Sequence, residues 1–373
     1  MTCLQVTSSQ GTYDVRIGEG LLTDLGTHVR AVSAAQRVLV VVDEAVVDSH
    51  GAMAIESLRA AGAIVSSVAI AAQEANKSID TMGRLWGAAL AASLDRRDAI
   101  VAVGGGLTGD VGGFLAATWL RGIDLIQVPT TLLAMVDASI GGKTGVNTPL
   151  PDSVGGGLGK NLIGAFWPPK LVLTDPQVLS TLPMEELCCG LAECVKHALL
   201  SDGRLMSDLE ADGPALAEGN TAGAGEIVQR SAAVKVEIVG LDEREAGSRA
   251  LLNLGHTFAH AIEGHPDLSL KHGQAVAIGL VAAAHTGVAL GCYDATAQDR
   301  LTQLLAALGL PQAMPRSSPA ASAETLVERM LFDKKTVDGT LRLVVPLSGG
   351  GAKVREDVDA AVVLDAWLAV GAS

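Results

Sequence analysis

Cysteine is scarce and carries no pattern in this chain. Its five thiols, Cys3, Cys188, Cys189, Cys194 and Cys292, are odd in number and form no C-x-x-C pair. That argues against both a disulfide framework and a cysteine-based zinc site, and a reducing compartment, the cytoplasm, is expected. Aromatic residues make up only 3% of the sequence, so the core has to be packed from aliphatic side chains and close Gly/Ala contacts. No apolar run reaches the ~20 residues that a membrane span needs. The opening MTCLQVTSSQGTYDV has neither a basic n-region nor an apolar h-region. Basic runs and basic–aromatic alternation are missing too: 41 acidic residues against 27 basic give a formal charge of −14. Nucleic acid and anionic membrane are therefore not expected as partners. Against that background, any basic residue gathered in a pocket stands out.

What is present suits a large soluble protein. A chain of 373 residues, 49% hydrophobic, can bury a sizeable core and is expected to divide into two domains. In the first half, strand-like and helix-like stretches alternate, which predicts a parallel α/β sheet. RVLVVVD (37–43) has the pattern of a buried parallel strand, and it ends in Asp43, where a ribose-binding acid often sits. A helix over Gly51–Ala61, closed by Gly62, leads to a strand over Ile64–Ala71 and then to the polar QEANKSID. DAIVAVGGGLTGDVGG (98–113) runs a strand into a glycine-rich turn. The turn suits a pyrophosphate, because glycines let backbone approach a ligand and the next helix offers free amides. Its spacing is not G-x-G-x-x-G, so a tight structural turn is the competing reading.

The strand over Ile123–Pro129 ends in Thr130–Thr131, and ligands of open α/β sheets collect outside such strand ends. Beyond it, Asp137 and Lys143 flank a small-residue segment, with Lys160–Asn161 after a Gly/Pro/Ser-rich loop (149–159). Two lysines and an asparagine beside glycine-rich backbone read either as an anion cradle or as ordinary solvated side chains.

From about Leu182 the pattern changes to long Ala/Leu-rich helices, expected over Met184–Leu200, Ala222–Gly240, Leu251–Glu263, Gly273–Leu290, Ala297–Leu308 and Ser322–Phe332. Four of the eight histidines fall in NLGHTFAHAIEGHPDLSLKHGQ (253–274). His256 and His260 share a helix face, and His272 follows a Gly/Pro/Asp break. Two histidines plus a distant carboxylate would make a catalytic metal site, although the spacing does not match HExxH and a purely structural pair is the alternative. Glu193 and Lys196, three apart in the apolar GLAECVKHALL, read either as a buried ion pair or as the missing ligand with a substrate contact. Cys188, Cys189 and Cys194 read as small core fillers.

Taken together, GGGLTGDVGG, VPTTLLAMVDASIGGKTGVN, GKNLIGAF, TLPMEEL through GLAECVKHALL, DEREAGSRALLNLGHTFAHAIE, HGQAVAIG and the late DKK occur in the order found in 3-dehydroquinate synthases. The chain resembles that family of sugar-phosphate cyclases over roughly residues 40–345. The resemblance implies an α/β N-terminal Rossmann-like domain with a mainly parallel sheet, a mostly α-helical C-terminal domain, and an active site in the cleft between them. The domains would be residues 1–181, binding NAD, and 182–373, binding metal and substrate. NAD would be held through Asp43, Glu74, Lys77, Gly105, Gly106, Asp110, Thr130, Thr131 and Asp137, with Lys143, Lys160 and Val178–Thr181 nearby. The metal, zinc or cobalt, would sit on Glu193, His256 and His272. His260 becomes a catalytic or supporting group. Arg249, Asn253, Lys196 and Lys235 would hold the carboxylate and hydroxyls of a sugar phosphate. Lys143, Asn161 and the Lys334–Lys335 pair would meet its phosphate, with Arg121 reaching in from the second subunit of a homodimer.

The implied reaction turns 3-deoxy-D-arabino-heptulosonate 7-phosphate into 3-dehydroquinate and phosphate, a carbon–oxygen lyase step of the shikimate pathway toward aromatic amino acids. It proceeds through transient oxidation, β-elimination, re-reduction and an intramolecular aldol closure. Three departures stand out. Twelve residues separate Asn147 from Lys160 where the family has about four, Gln274 replaces the usual Glu after His-Gly, and Cys188–Cys189 is an unusual pair. The longer loop is expected to order on ligand binding, and Gln274 to tune the surroundings of the metal. A related cyclase acting on an amino or uncarboxylated sugar phosphate and a metal-dependent polyol dehydrogenase are the rival enzymes. A scaffold that kept only the fold is the rival of another class.

Overall fold

Runs of β-branched residues too short for helices, each followed by a glycine- or charge-marked break, form the sheet of the first half. In the computed structural model, residues 1–151, 158–245, 247–265, 268–315, 322–333 and 341–372 are described. They divide into two compact units, Met1–Leu182 and Pro183–Ser373.

The first unit opens with the hairpin β1 (Thr2–Ser8) and β2 (Gly11–Ile17). Then α1 (Leu25–Val32), β3 (Arg37–Asp43), α2 (Ala52–Ala60), β4 (Ile64–Ile70), α3 (Ile79–Ala91), β5 (Ala99–Gly104), α4 (Gly106–Thr118) and β6 (Asp124–Pro129) alternate as the sequence predicts. β7 (Lys143–Pro149) and β8 (Leu158–Phe166) form a separate two-stranded ladder, and β9 (Leu171–Thr174) returns to the main sheet. The seven-stranded order is β1-β2-β9-β6-β5-β3-β4, parallel from β2 to β4. Val38–Val42 and all of β5 are buried, and each fully buried valine or isoleucine stabilises by about 1.5–3 kcal/mol.

The second unit comprises α5 (Met184–Leu200), α6 (Arg204–Ala217), α7 (Ala224–Leu241), α8 (His256–Glu263), α9 (His272–Ala289), α10 (Ala295–Ala307), α11 (Ala323–Asp333), the hairpin β10 (Leu341–Pro346) and β11 (Ala352–Val358), and α12 (Ala360–Ala369). The fold class is the one expected. Among the described residues no helix is long and apolar enough to cross a membrane.

Two local expectations are corrected. The helix expected over Leu251–Glu263 is broken: a 3-10 turn, Ser248–Asn253, precedes α8, and Gly255 between them stands at φ 77°. A side chain there would be strained and would also meet Leu280 at 2.9 Å. The loop expected over 149–159 is partly strand, since Pro149 ends β7 and Leu158–Gly159 begin β8. Residues 152–157, where the expected ordering on ligand binding would fall, lie outside the described residues.

Candidate active site

In the first unit the topology itself marks a ligand crevice. Chain order moves outward from β3 to β4 on one side and to β5 and β6 on the other, so the carboxyl ends of β3 and β5 flank the point where strand order reverses. Asp43 ends β3 and Gly104 ends β5, so close together that a Cβ on Gly104 would lie 2.9 Å from that of Asp43. Gly105 and Gly106 then open α4 without a side-chain cap, and the first amides of a helix can serve an anion. The Thr130 amide donates to the Gly104 carbonyl at 2.9 Å, and Thr131 Oγ1 accepts from Ala134 N at 3.2 Å. Burial raises the Asp43 pKa, opposed by the hydrogen bond from the Ala45 amide. Asp137 sits in the short π-turn Ala134–Ala138, and Val178 and Thr181 sit in the 3-10 helix Pro176–Thr181. His50, given no role from sequence, meets Thr181 Oγ1 at 2.8 Å through Nε2.

A second cluster of this unit gathers the polar turn after β4. Lys77, buried, reaches Asp110 Oδ2 at 2.5 Å and also donates to Asn161 Oδ1. Burial raises the Asp110 carboxyl, with Lys77 pulling the other way. Glu74 is joined to Asn161 through Asn147, a residue the sequence reading did not single out. Lys143 opens β7 opposite Phe166, whereas Lys160–Asn161 lie toward the other end of the ladder. Asn161 is thus the member of that trio joined to Lys77. Lys143, Lys160 and Arg121 are exposed. Lys335 lies outside the described residues.

In the second unit a carboxylate and two imidazoles converge. Glu193, Lys196 and His197 lie on the buried side of α5, His256 begins α8 and His272 begins α9. Two glycines permit this approach. A Cβ on Gly273 would fall 2.3 Å from the Cys189 Cα, so the first turn of α9 rests directly on the backbone of α5. A Cβ on Gly279 would fall 2.2 Å from the Gly255 carbonyl, so α8 starts against the middle of α9. Glu193 Oε1 consequently lies 3.6 Å from His256 Nε2 and 3.5 Å from His272 Nε2. One ligand atom from each of the three residues lies within 4.8 Å of the others.

The other ring nitrogens are occupied. His256 Nδ1 lies 3.3 Å from the Leu254 carbonyl and His272 Nδ1 lies 3.1 Å from Glu263 Oε1. Both acceptors require a proton on Nδ1, which leaves each Nε2 to the centre of the cluster. Burial, assisted by Lys196, lowers the His256 pKa to about 3. Burial also depresses His272, but its hydrogen bonds to Glu193 and Glu263 outweigh that and raise it to about 10. A cation between those carboxylates is favoured. Carboxylate and imidazole donors, three in number, are the set that holds a catalytic zinc-type ion with one position left open, so the residues fit a divalent metal.

Around the cluster stand the basic residues. Lys196, 1% exposed, ion-pairs with Glu193, as the buried-pair reading of these two residues expects. Lys235 on α7 and Arg249 in the 3-10 turn are also buried, on elements that pack against α5. Arg249 donates to the Glu243 carbonyl, while Asp242 accepts from the Gly247 and Arg249 amides at 2.7 and 3.0 Å. Asn253 Nδ2 donates to Glu245 Oε1 at 3.0 Å. Asp242 and Glu245 were not selected from sequence; their only signal is the acidic DERE ahead of Arg249. His260 is exposed, its ring 5.8 Å from that of His256 and outside the three-residue cluster. Gln274 Oε1 accepts from the Lys271 amide at 3.0 Å, capping the helix that His272 opens.

Solved structures similar to this one place it in a class. A 2-epi-5-epi-valiolone synthase from Streptomyces hygroscopicus, with NAD+ and Zn2+ bound, matches with TM-score 0.84 and 29% identity over 99% of this chain and 98% of its own. A 2-deoxy-scyllo-inosose synthase complexed with carbaglucose-6-phosphate, NAD+ and Co2+ matches with TM-score 0.82 and 26% identity, covering 98% of each chain. A probable glycerol dehydrogenase from Sinorhizobium meliloti, at 14% identity, TM-score 0.65 and 95% of each chain, shares the fold alone. The chain thus has the two-domain fold of the sugar-phosphate cyclases.

Family models narrow this further: 3-dehydroquinate synthase N-terminal matches residues 67–189 and 3-dehydroquinate synthase C-terminal matches residues 190–336. The 3-dehydroquinate synthase of Microcystis aeruginosa is 42% identical over 97% of this chain and 96% of its own. The chain belongs to the 3-dehydroquinate synthase family.

Proposed function

We propose that the protein converts 3-deoxy-D-arabino-heptulosonate 7-phosphate into 3-dehydroquinate and inorganic phosphate, with NAD used and regenerated in each turnover. The observation that carries this reading is the set of buried cations. Lys196, Lys235 and Arg249 are buried on packed elements of a protein whose formal charge is −14. Lys196 already pairs with Glu193, and a neutral polyol would not need further cations gathered on the packed elements beside it. A substrate bearing both carboxylate and phosphate would.

In this reading Glu193, His256 and His272 hold the divalent ion. Asp43, the Gly105–Gly106 turn, Thr130, Thr131, Asp137 and the Lys77–Asp110 pair hold the dinucleotide, with Glu74, Lys143, Lys160, Val178 and Thr181 beside it. When bound, NAD would take up and return a hydride at a carbinol carbon, and a zinc- or cobalt-type ion would polarise the oxygen on that carbon. Arg249 and Asn253 grip the carboxylate end, and Lys196 and Lys235 orient the hydroxyls. Lys143 neutralises the phosphate and Asn161 donates a hydrogen bond to it, joined in a homodimer by Arg121 from the second subunit. His260, exposed beside His256, exchanges the proton with water. The products make the enzyme a carbon–oxygen lyase, and the residue roles divide the chain into a cofactor domain and a metal- and substrate-binding domain at about Leu182.

The test is to incubate metal-loaded protein with the heptulosonate phosphate and substoichiometric NAD, following phosphate and NADH absorbance together. Many phosphates released per NAD, without accumulating NADH, is the expected result. Steady NADH from a simple polyol, with no phosphate released, would move the protein to the dehydrogenase reading.

A further inference from the structure

Asn147, on β7, is 2% exposed, and every hydrogen-bonding group of its side chain faces a residue of the proposed site or that residue's backbone. Its Nδ2 donates to Glu74 Oε1 at 2.7 Å and to the Glu74 carbonyl at 3.3 Å. Its Oδ1 accepts from the Asn161 amide at 2.9 Å, and its own amide donates to the Lys77 carbonyl at 2.7 Å. The amide can sit only one way round: reversed, its oxygen would face two oxygens of Glu74 and its NH2 would face the Asn161 N–H. Asn161 stands at φ 56°, a left-handed conformation that asparagine tolerates better than most residues with a side chain. The residues so joined are far apart in sequence, 73 positions to Glu74 and 14 to Asn161. Lys77 closes the ring by donating to both Asn161 and Asp110.

We infer that Asn147 is a positioning residue. It sets the Glu74–Lys77 turn, on the cofactor side, in register with the Asn161 turn, on the phosphate side, so that the two are held as one piece. The inference rests on the synthase reading for the roles of Glu74, Lys77 and Asn161. Asn147 itself touches neither ligand in this scheme. It acts by leaving Asn161 a single backbone conformation and Lys77 a single pair of partners. That it immediately precedes the eight-residue excess between Asn147 and Lys160 gives it a further task, since the phosphate-side strand has to be brought back to its place whatever the length between.

The test uses the full-length, metal-loaded protein in four forms: wild type, Asn147→Asp, Glu74→Gln, and the two together, with Asn147→Leu as an apolar control. NADH binding is read by fluorescence titration, and KM and kcat with the heptulosonate phosphate. Losing one buried hydrogen bond corresponds to about tenfold. Asn147→Asp, which nearly preserves shape but sets carboxylate against carboxylate, is therefore expected to weaken NADH binding and raise the sugar-phosphate KM by about that factor, with kcat changed less. Adding Glu74→Gln exchanges donor and acceptor and is expected to recover binding relative to Asn147→Asp alone. A residue needed only for folding would not show this reversal.

Wild-type constants in Asn147→Asp, or no coupling between the two sites in the cycle, would overturn the inference. If Asn147→Leu does not fold, the near-isosteric variant still decides. Wild-type protein that binds NADH but releases no phosphate would sink the synthase reading instead, leaving the dinucleotide titration to judge Asn147. Wild-type protein that binds no dinucleotide would sink both.

Discussion

His272 depends on partners at both ring nitrogens, with Glu193 on one side and Glu263 on the other. His272→Ala is expected to lose metal and activity together, and normal metal content by elemental analysis would refute its assignment as a ligand. Glu263→Ala should leave the ligands in place but free the ring to rotate. Metal affinity, read by competition with a chelator, is then expected to fall about 10–100-fold. The cysteines allow a separate check. Burial raises the Cys189 thiol to about 11 and the Cys194 thiol to about 12, so at pH 8 both stay protonated and unreactive. Thiol alkylation followed by mass spectrometry should label exposed Cys3 in the native protein and reach Cys194 only after unfolding. At this scale the sequence was informative wherever residue type implied chemistry. Residue pattern alone paired His256 with His260 and left the carboxylate open, and the family resemblance supplied Glu193, His256 and His272 as a set; Asn147 and Glu263 were not proposed, because their importance lies in partners that only the folded chain supplies.

Between elements the decisive contacts are made by residues without side chains. Gly273→Ala would force α9 away from the backbone of α5, and the displaced element carries His272. The expected result is loss of metal affinity together with a stability loss of about 1–3 kcal/mol from overpacking, measured by chelator competition and thermal unfolding. Gln274 makes a complementary case. Gln274→Glu keeps an oxygen for the Lys271 amide and should leave the melting temperature nearly unchanged, whereas Gln274→Ala should cost about 1 kcal/mol, as lost caps do.

Periodicity showed most of the long helices and the buried parallel strands, since both are dictated by apolar spacing. It ran one helix through Gly255 because the Ala/Leu pattern continues on both sides and gives no hint that Leu280 crowds that point. It also missed β8, most of which is exposed and so lacks the alternation that marks a half-buried strand, and the β10–β11 hairpin within a mainly helical half.

Over the whole molecule, the main sheet is assembled from distant parts of the chain. β9 lies between β2 and β6, and Asp175 just beyond it accepts from the amides of Gly20 and Leu22 at 3.1 Å each. On the ribosome, therefore, the first hairpin is made early but has no neighbour to join until residues 171–175 have emerged. Every strand of that sheet except this last short one is by then complete, so the nascent chain carries an open β6 edge and an undocked hairpin. Release of a fragment ending at residue 166 should give an aggregating product, and release at 182 a soluble one, as judged by sedimentation. A four-residue strand thus acts as the closing stitch of the first unit, and pauses in translation just ahead of it would prolong the interval in which the protein is most exposed to misassembly.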